Sequence, residues 1–259
     1  MNNIIRLLKN LKKNGVTGIK QSLEDEGASF EEIKKMRQLT KKVGLDLNVK
    51  IGGCEARNDI FFCKKVGTDG IVAPMVESSY ALNKFTQIAG YNRDNFLFVN
   101  LESKLALKNL KEIMNSKNFN LLKGVIIGRS DLAGSMGLTK KMVDSNRIFK
   151  NVLLTFRKLK KKKKSLVCKM GGSITYNSKE FIEDLYKKNI LDRVETRNVE
   201  ILLNKKNIKK FKHLLILAFR FEVEWLKAKL KMRVTKNKIV KKEYLFRIQQ
   251  IQKRIKTVN

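Results

Sequence analysis

Short apolar runs alternate with amphipathic stretches along most of this chain. Residues 18–23, 47–51, 70–73, 96–102, 124–127, 165–169 and 193–196 read as seven strands. Between them, 30–43, 55–66, 79–88, a stretch from about 139, and 178–188 carry helical spacing, and 2–14 forms a basic amphipathic helix ahead of the first strand. Ser29 followed by Glu32 is the signature of a capping box at the start of the 30–43 helix. This alternation predicts parallel βα units and an α/β fold of the TIM (β/α)8 type. The eighth strand lies either in the N-terminal region or at 199–203. From Asn207 onward there is no Gly or Pro, and apolar positions recur at helical spacing, which predicts closing helices at 207–232 and 238–257. The expected organisation is a barrel over 1–203 and a helical extension over 204–259 that packs on the barrel or on a neighbouring subunit. Leu214, Phe221 and Trp225 form a second apolar stripe there, which points to a homo-oligomer.

Length and composition fit that picture. The 259 residues match one barrel of ordinary size, and 42% hydrophobic content supplies a core. No apolar stretch approaches the ~20 residues needed to cross a bilayer, and the N-terminus lacks a signal-peptide core, so a cytoplasmic protein is expected. Cys54, Cys63 and Cys168 are few and widely spaced, as reduced thiols are. The 57 Lys and Arg against 24 Asp and Glu give a net charge of +33, which would suit a nucleic-acid partner. Lysine dominates, however, and is spread along the whole chain, so the charge reads as a compositional bias and a nucleic-acid partner is not expected. The densest run, 157–164, connects a helix to the following strand and belongs on the barrel face opposite an active site.

Chemistry concentrates at the ends of two successive strands. Glu102 closes the run from Phe96, and Asp131 follows the run from Gly124, at the positions where barrel enzymes carry functional groups. Two hard oxygen ligands that leave positions for water and substrate suit Mg²⁺ or Mn²⁺. Around Asp131 the loop Gly128-Arg129-Ser130-Asp131-Leu132-Ala133-Gly134-Ser135-Met136-Gly137 is rich in small residues, so its backbone can approach an anion such as a carboxylate.

At three ordered blocks the chain resembles the HpcH/HpaI aldolase and citrate-lyase beta-subunit family, a phosphoenolpyruvate/pyruvate-type barrel. The blocks are Ile71-Val72-Ala73-Pro74-Met75-Val76-Glu77-Ser78, Val99-Asn100-Leu101-Glu102-Ser103, and Gly128 to Gly137, within a similarity that spans about 16–200. The resemblance implies a divalent ion on Glu102 and Asp131 and a substrate carboxylate seated by the backbone around Gly128 to Asp131. It implies a carbon–carbon lyase or aldolase acting on a 2-oxo acid or an acyl thioester. The chain departs from the family twice. Lys50 stands where the aldolases have an arginine beside the keto oxygen, with Arg57 and Arg129 as possible substitutes. The family's acid-histidine pair is replaced by Leu23-Glu24-Asp25-Glu26-Gly27, which leaves Glu24 or Glu26 as the base. The only histidine, His213, falls in a C-terminal helix and reads as structural. Cys54 reads as a packing residue. Lys20, Lys50 and Lys169 lie inside strands, and a Schiff-base aldolase using Lys169 or Lys50 is the alternative enzyme reading. A basic binding protein on a non-catalytic barrel is the alternative outside enzymology.

Overall fold

The computed structural model describes residues 2–24, 26–90, 95–232 and 238–258. Helix α1 (Asn2–Lys13) leads into β1 (Val16–Ser22), α2 (Phe30–Val43), β2 (Asp46–Lys50), α3 (Arg57–Val66), β3 (Gly70–Ala73) and α4 (Ser79–Ala89). Next come β4 (Phe96–Asn100), the short helices α5 (Lys104–Lys108) and α6 (Leu110–Asn115), β5 (Leu122–Gly128), α7 (Arg129–Ser135) and α8 (Asn146–Lys162). Strand β6 (Val167–Gly171), helix α9 (Lys179–Lys187), β7 (Arg193–Glu195) and β8 (Val199–Leu202) complete the sheet. Helices α10 (Lys205–Lys209), α11 (Phe211–Met232) and α12 (Lys238–Val258) close the chain.

The eight strands form one closed barrel in sequence order. Seven run parallel, as the alternating pattern predicts. The eighth settles at Val199–Leu202 and is antiparallel to both β7 and β1. A parallel crossover needs a dozen or more residues, and only Thr196, Arg197 and Asn198 separate β7 from β8. The connection is therefore a hairpin whose turn lies at the same barrel end as the C-termini of β1 to β7. Several boundaries also shift. The helix expected from about 139 begins only at Asn146, after a separate 3-10 turn at Lys140–Met142. The strand read at 165–169 occupies Val167–Gly171. The capping box forms as expected: Ser29 Oγ accepts from the Glu32 amide at 3.2 Å and Glu32 Oε2 accepts from the Ser29 amide at 3.0 Å.

Strand side chains alternate between two environments. Outward residues such as Leu47, Val49, Ile71, Val99, Val125, Ile127 and Met170 join the helices in one large apolar core. Inward residues include only a small apolar cluster of Val72, Phe98 and Ile126, packed by Val167. The rest of the interior is polar or charged: Asn48, Lys50, Asn100, Lys169, Glu195 and Glu200 are all buried. Glycines make room for this content, since a Cβ at Gly124 would lie 2.3 Å from the Val167 carbonyl and 2.9 Å from the Phe98 ring.

The C-terminal helices cover the barrel wall. Trp225 of α11 donates from Nε1 to Gln21 Oε1 of β1 at 2.9 Å, Lys229 reaches Glu32 of α2 at 3.4 Å, and Asn3 of α1 donates to Glu224 at 3.0 Å. Leu214, Phe221 and Trp225 are 0%, 0% and 1% exposed. The stripe that suggested a subunit contact is thus spent inside the chain. Helix α12 is tied to α11 by Arg247 donating to Glu222 Oε1 at 3.1 Å. Among the described residues, no helix is long and apolar enough to cross a membrane.

Candidate active site

The ends of β1 to β7 and the loops after them form a mouth at which most of the singled-out residues meet. Glu102 lies two residues beyond β4, with its side chain 2% exposed. Its Oε1 accepts from the Met75 amide at 3.2 Å and faces Lys50 Nζ at 3.4 Å, while its Oε2 accepts from Asn100 Nδ2 at 2.8 Å. Met75 holds a positive φ of 48° directly after Pro74, so the apolar-Pro-Met block bends its backbone N–H toward this carboxylate. Opposite, a Cβ at Gly128 would lie 2.5 Å from Glu102 Oε2, and only glycine leaves the carboxylate its place.

Burial pushes the Glu102 carboxyl above its ordinary range. The Lys50 charge and the Asn100 hydrogen bond oppose that shift, and the Asp131 charge adds to it. Asp131, exposed in the first turn of α7, therefore shares an electrostatic neighbourhood with Glu102. Among the described residues no group of three or more His, Cys, Asp or Glu side chains is placed to hold a metal. The candidate ligand set is the carboxylate pair alone.

Lys50 ends β2 and also pairs with Glu24 Oε2 at 2.7 Å, so the acid after β1 and the acid after β4 converge on one ammonium. Glu26 is taken up differently, accepting from Asn198 Nδ2 at 3.1 Å. Asp25, the third acid of that cluster, lies outside the described residues. Ser130 Oγ is 3.0 Å from Ser173 Oγ, and a Cβ at Gly172 would come within 2.5 Å of the Arg129 and Ser130 amide nitrogens. Only glycine allows the backbone at 172 to approach these two amides of the predicted carboxylate-seating segment so closely.

Arg129 and Arg57 do not take the part suggested for them. Arg129 is fully buried and spends all five N–H donors on protein: Gly171 O at 3.2 Å, Val143 O at 3.4 Å, Asp144 Oδ1, Gly172 O at 3.0 Å and Ser178 Oγ at 3.2 Å. It fastens α7 to the end of β6 and to the approach to α8, and no donor is left for a substrate. Arg57 is exposed at the start of α3; its backbone amide donates to Glu55 O at 2.7 Å, and its guanidinium makes no hydrogen bond or ion pair among the described residues. His213 is exposed at the beginning of α11. The Cys54 thiol, pushed up to about 11 first by burial and then by the Glu55 charge, donates to Pro74 O at 3.4 Å.

Lys169, the favoured Schiff-base lysine, is sealed in the barrel. It has no exposure and lies 2.8 Å from each oxygen of Glu200, with Nζ 3.7 Å from the Phe98 ring centroid. An amine held by both oxygens of a buried carboxylate is not available to a carbonyl. The basic run ending α8 also lies away from the mouth: Lys163 donates to Leu122 O at 2.7 Å and Lys160 to Leu166 O at 2.8 Å, beside the strand starts. Glu195 was read only as a strand residue, yet it lies buried at the mouth with Lys20 Nζ 2.7 Å away.

No curated protein matches the sequence. Solved structures with the same fold include an HpcH/HpaI aldolase from Desulfitobacterium hafniense DCB-2, 13% identical with a TM-score of 0.62 over 74% of this chain and 81% of that one. The citrate synthase SbnG is 11% identical, with a TM-score of 0.61 over 81% of this chain and 85% of that one. An HpcH/HpaI aldolase/citrate lyase family protein from Burkholderia cenocepacia J2315 is 12% identical, with a TM-score of 0.59 over 74% and 82%. Residues 38–161, which include Lys50, Glu102, Gly128 and Asp131, match the HpcH/HpaI aldolase/citrate lyase family model, and the barrel fold is shared with solved structures of that description.

Proposed function

We propose that this protein is a carbon–carbon lyase of the aldolase type that acts on a 2-oxo acid or a related acyl substrate, with Mg²⁺ or Mn²⁺ held by Glu102 and Asp131. The observation that carries this reading is the buried Glu102 carboxylate, coupled to Asp131 and seated against Gly128 at the barrel mouth. The donor set fits a hard divalent ion: the Asp131 charge adds to the upward push on the Glu102 carboxyl, and a cation between the two would relieve that repulsion. Bound there, such an ion supplies a Lewis acid for the keto group and for the enolate that forms as a carbon–carbon bond breaks.

The chain's own groups do the remainder. Lys50 places a positive charge against Glu102 and Glu24, a point charge in place of the fork an arginine would offer. The Arg129 and Ser130 amides of the Gly128–Gly137 loop, which the Gly172 backbone approaches closely, are the donors assigned to a substrate carboxylate. Arg129 holds that loop in place from behind.

Exchange of the pyruvate methyl protons in D2O, followed by NMR with added Mg²⁺, tests this directly. The exchange should disappear with EDTA and fall at least about a hundredfold, roughly 2.7 kcal/mol, in Glu102→Gln and Asp131→Asn. Absence of both exchange and Mn²⁺ binding with every 2-oxo acid tried would overturn it.

A further inference from the structure

The mouth holds a second buried carboxylate whose needs are not met. Glu195 is the last residue of β7, and its side chain is 2% exposed. Its Oε1 accepts from Lys20 Nζ at 2.7 Å, while its Oε2 is buried with no hydrogen-bond partner among the described residues. A buried carboxylate oxygen is ordinarily hydrogen-bonded, so one left unsatisfied calls for a reason. The neighbouring Glu200, its partner across the β7–β8 ladder, shows the contrast: both of its oxygens are taken by Lys169, with Asn48 and Arg193 adding donors.

Position supplies the reason. A Cβ at Gly171 would lie 3.1 Å from Glu195 Oε1, and a Cβ at the next residue, Gly172, would lie 2.5 Å from the Arg129 and Ser130 amides. Consecutive Cα atoms are about 3.8 Å apart, so the carboxylate and those amides flank one short piece of backbone at the end of β6. The charged groups around Glu195 are Lys20 from β1, Arg193 on its own strand, Glu200 from β8 with its partner Lys169 from β6, and Arg197 in the hairpin turn.

We propose that Glu195 moves the C3 proton, as base when the enolate forms from the 2-oxo acid and as acid when the enolate left by carbon–carbon cleavage is protonated, with Lys20 as its positioning partner. The inference rests on the 2-oxo acid reading above. Oε2 takes a proton from C3 of the 2-oxo acid; the C–H electron pair becomes the enolate double bond, and the keto oxygen takes up the negative charge. The reverse step returns a proton, or a deuteron acquired from D2O, from the carboxylic acid to C3. Lys20 stays protonated throughout and holds Oε1, which leaves Oε2 as the oxygen that takes the proton.

The test compares wild type with Glu195→Gln and Glu195→Asp in pyruvate exchange across the pH range, and in calorimetric titration with Mn²⁺ and with oxalate, a mimic of the enolate. In Glu195→Gln, exchange should fall at least about a hundredfold and the acid limb of the pH profile should vanish, with Mn²⁺ and oxalate affinities unchanged. Oxalate should take up roughly one proton on binding to wild type, because an anion beside Oε2 favours the carboxylic acid, and none on binding to Glu195→Gln. Glu195→Asp should keep part of the exchange activity, and it carries the same readouts should the glutamine variant fail to fold. Exchange at the wild-type rate, an intact acid limb, or loss of oxalate affinity together with exchange overturns the assignment. A wild-type protein that exchanges no 2-oxo acid overturns the lyase reading instead.

Discussion

Two lysine–glutamate pairs inside one barrel behave in opposite ways. In the middle, Lys169 and Glu200 have no exposure, and Glu200 receives donors from Lys169, Asn48 and Arg193. Burial alone would raise the Glu200 carboxyl, but these partners outweigh it and hold it below its ordinary value. At the mouth, Lys50 stands 3.4 Å from Glu102 and divides its charge with Glu24, and Glu102 is raised instead. The first pair is complete within the protein. The second leaves a buried carboxylate at the barrel mouth short of positive charge.

Removing the ammonium from the middle pair should have the largest effect. Lys169→Met leaves Glu200 buried with Asn48 and a partly exposed Arg193, and the expected loss is about 3–5 kcal/mol of unfolding free energy. Urea unfolding followed by circular dichroism measures it, and replacing Glu200 with Met as well should recover much of the loss. A loss below about 1 kcal/mol would mean that the middle pair is not the sealed element described.

The contrast between these regions also marks what was legible in the sequence. Glu102 and Asp131 were readable because each closes an apolar run and Gly128 stands beside them. Both Lys169 and Glu200 fall at predicted strand positions, but their pairing depends on β8 running backwards through a three-residue turn, which the β/α alternation hides. Arg129 looked like a substrate cation because it neighbours Asp131. Its direction is set by carbonyls of the Gly171-Gly172 and Val143 backbone, distant in sequence. Glu195 carried no motif at all; only its orphaned oxygen, a property of the folded barrel, distinguishes it.

The pH dependence of ion binding sharpens the contrast at intermediate size. A proton and a divalent ion compete for the Glu102 oxygens, and burial has moved that proton's release upward. Mn²⁺ affinity should therefore rise with pH up to the raised value, by about tenfold per unit, and level off above it. The same shift works against the ion-free fold: a carboxyl raised in the folded state favours folding at low pH and loses that contribution as pH rises through the folded value. Glu200, held low, stays ionised over this range and adds no such dependence. A flat affinity profile would remove Glu102 from the ligand set.

The smallest effect should come from making the same substitution at the mouth. Lys50→Met takes an ammonium from two acids, as Lys169→Met takes one from Glu200, but the acids left behind have other resources. Glu24 is about one-third exposed and can return to water, and Glu102, already raised, can take up a proton. The stability change at neutral pH should stay within about 1 kcal/mol by urea unfolding, while the range over which Mn²⁺ affinity climbs with pH extends upward, because Glu102 has lost the nearest charge favouring its ionised form. If Lys50→Met destabilises as strongly as Lys169→Met, depth in the barrel is not what separates the two pairs, and Lys50 is a structural residue.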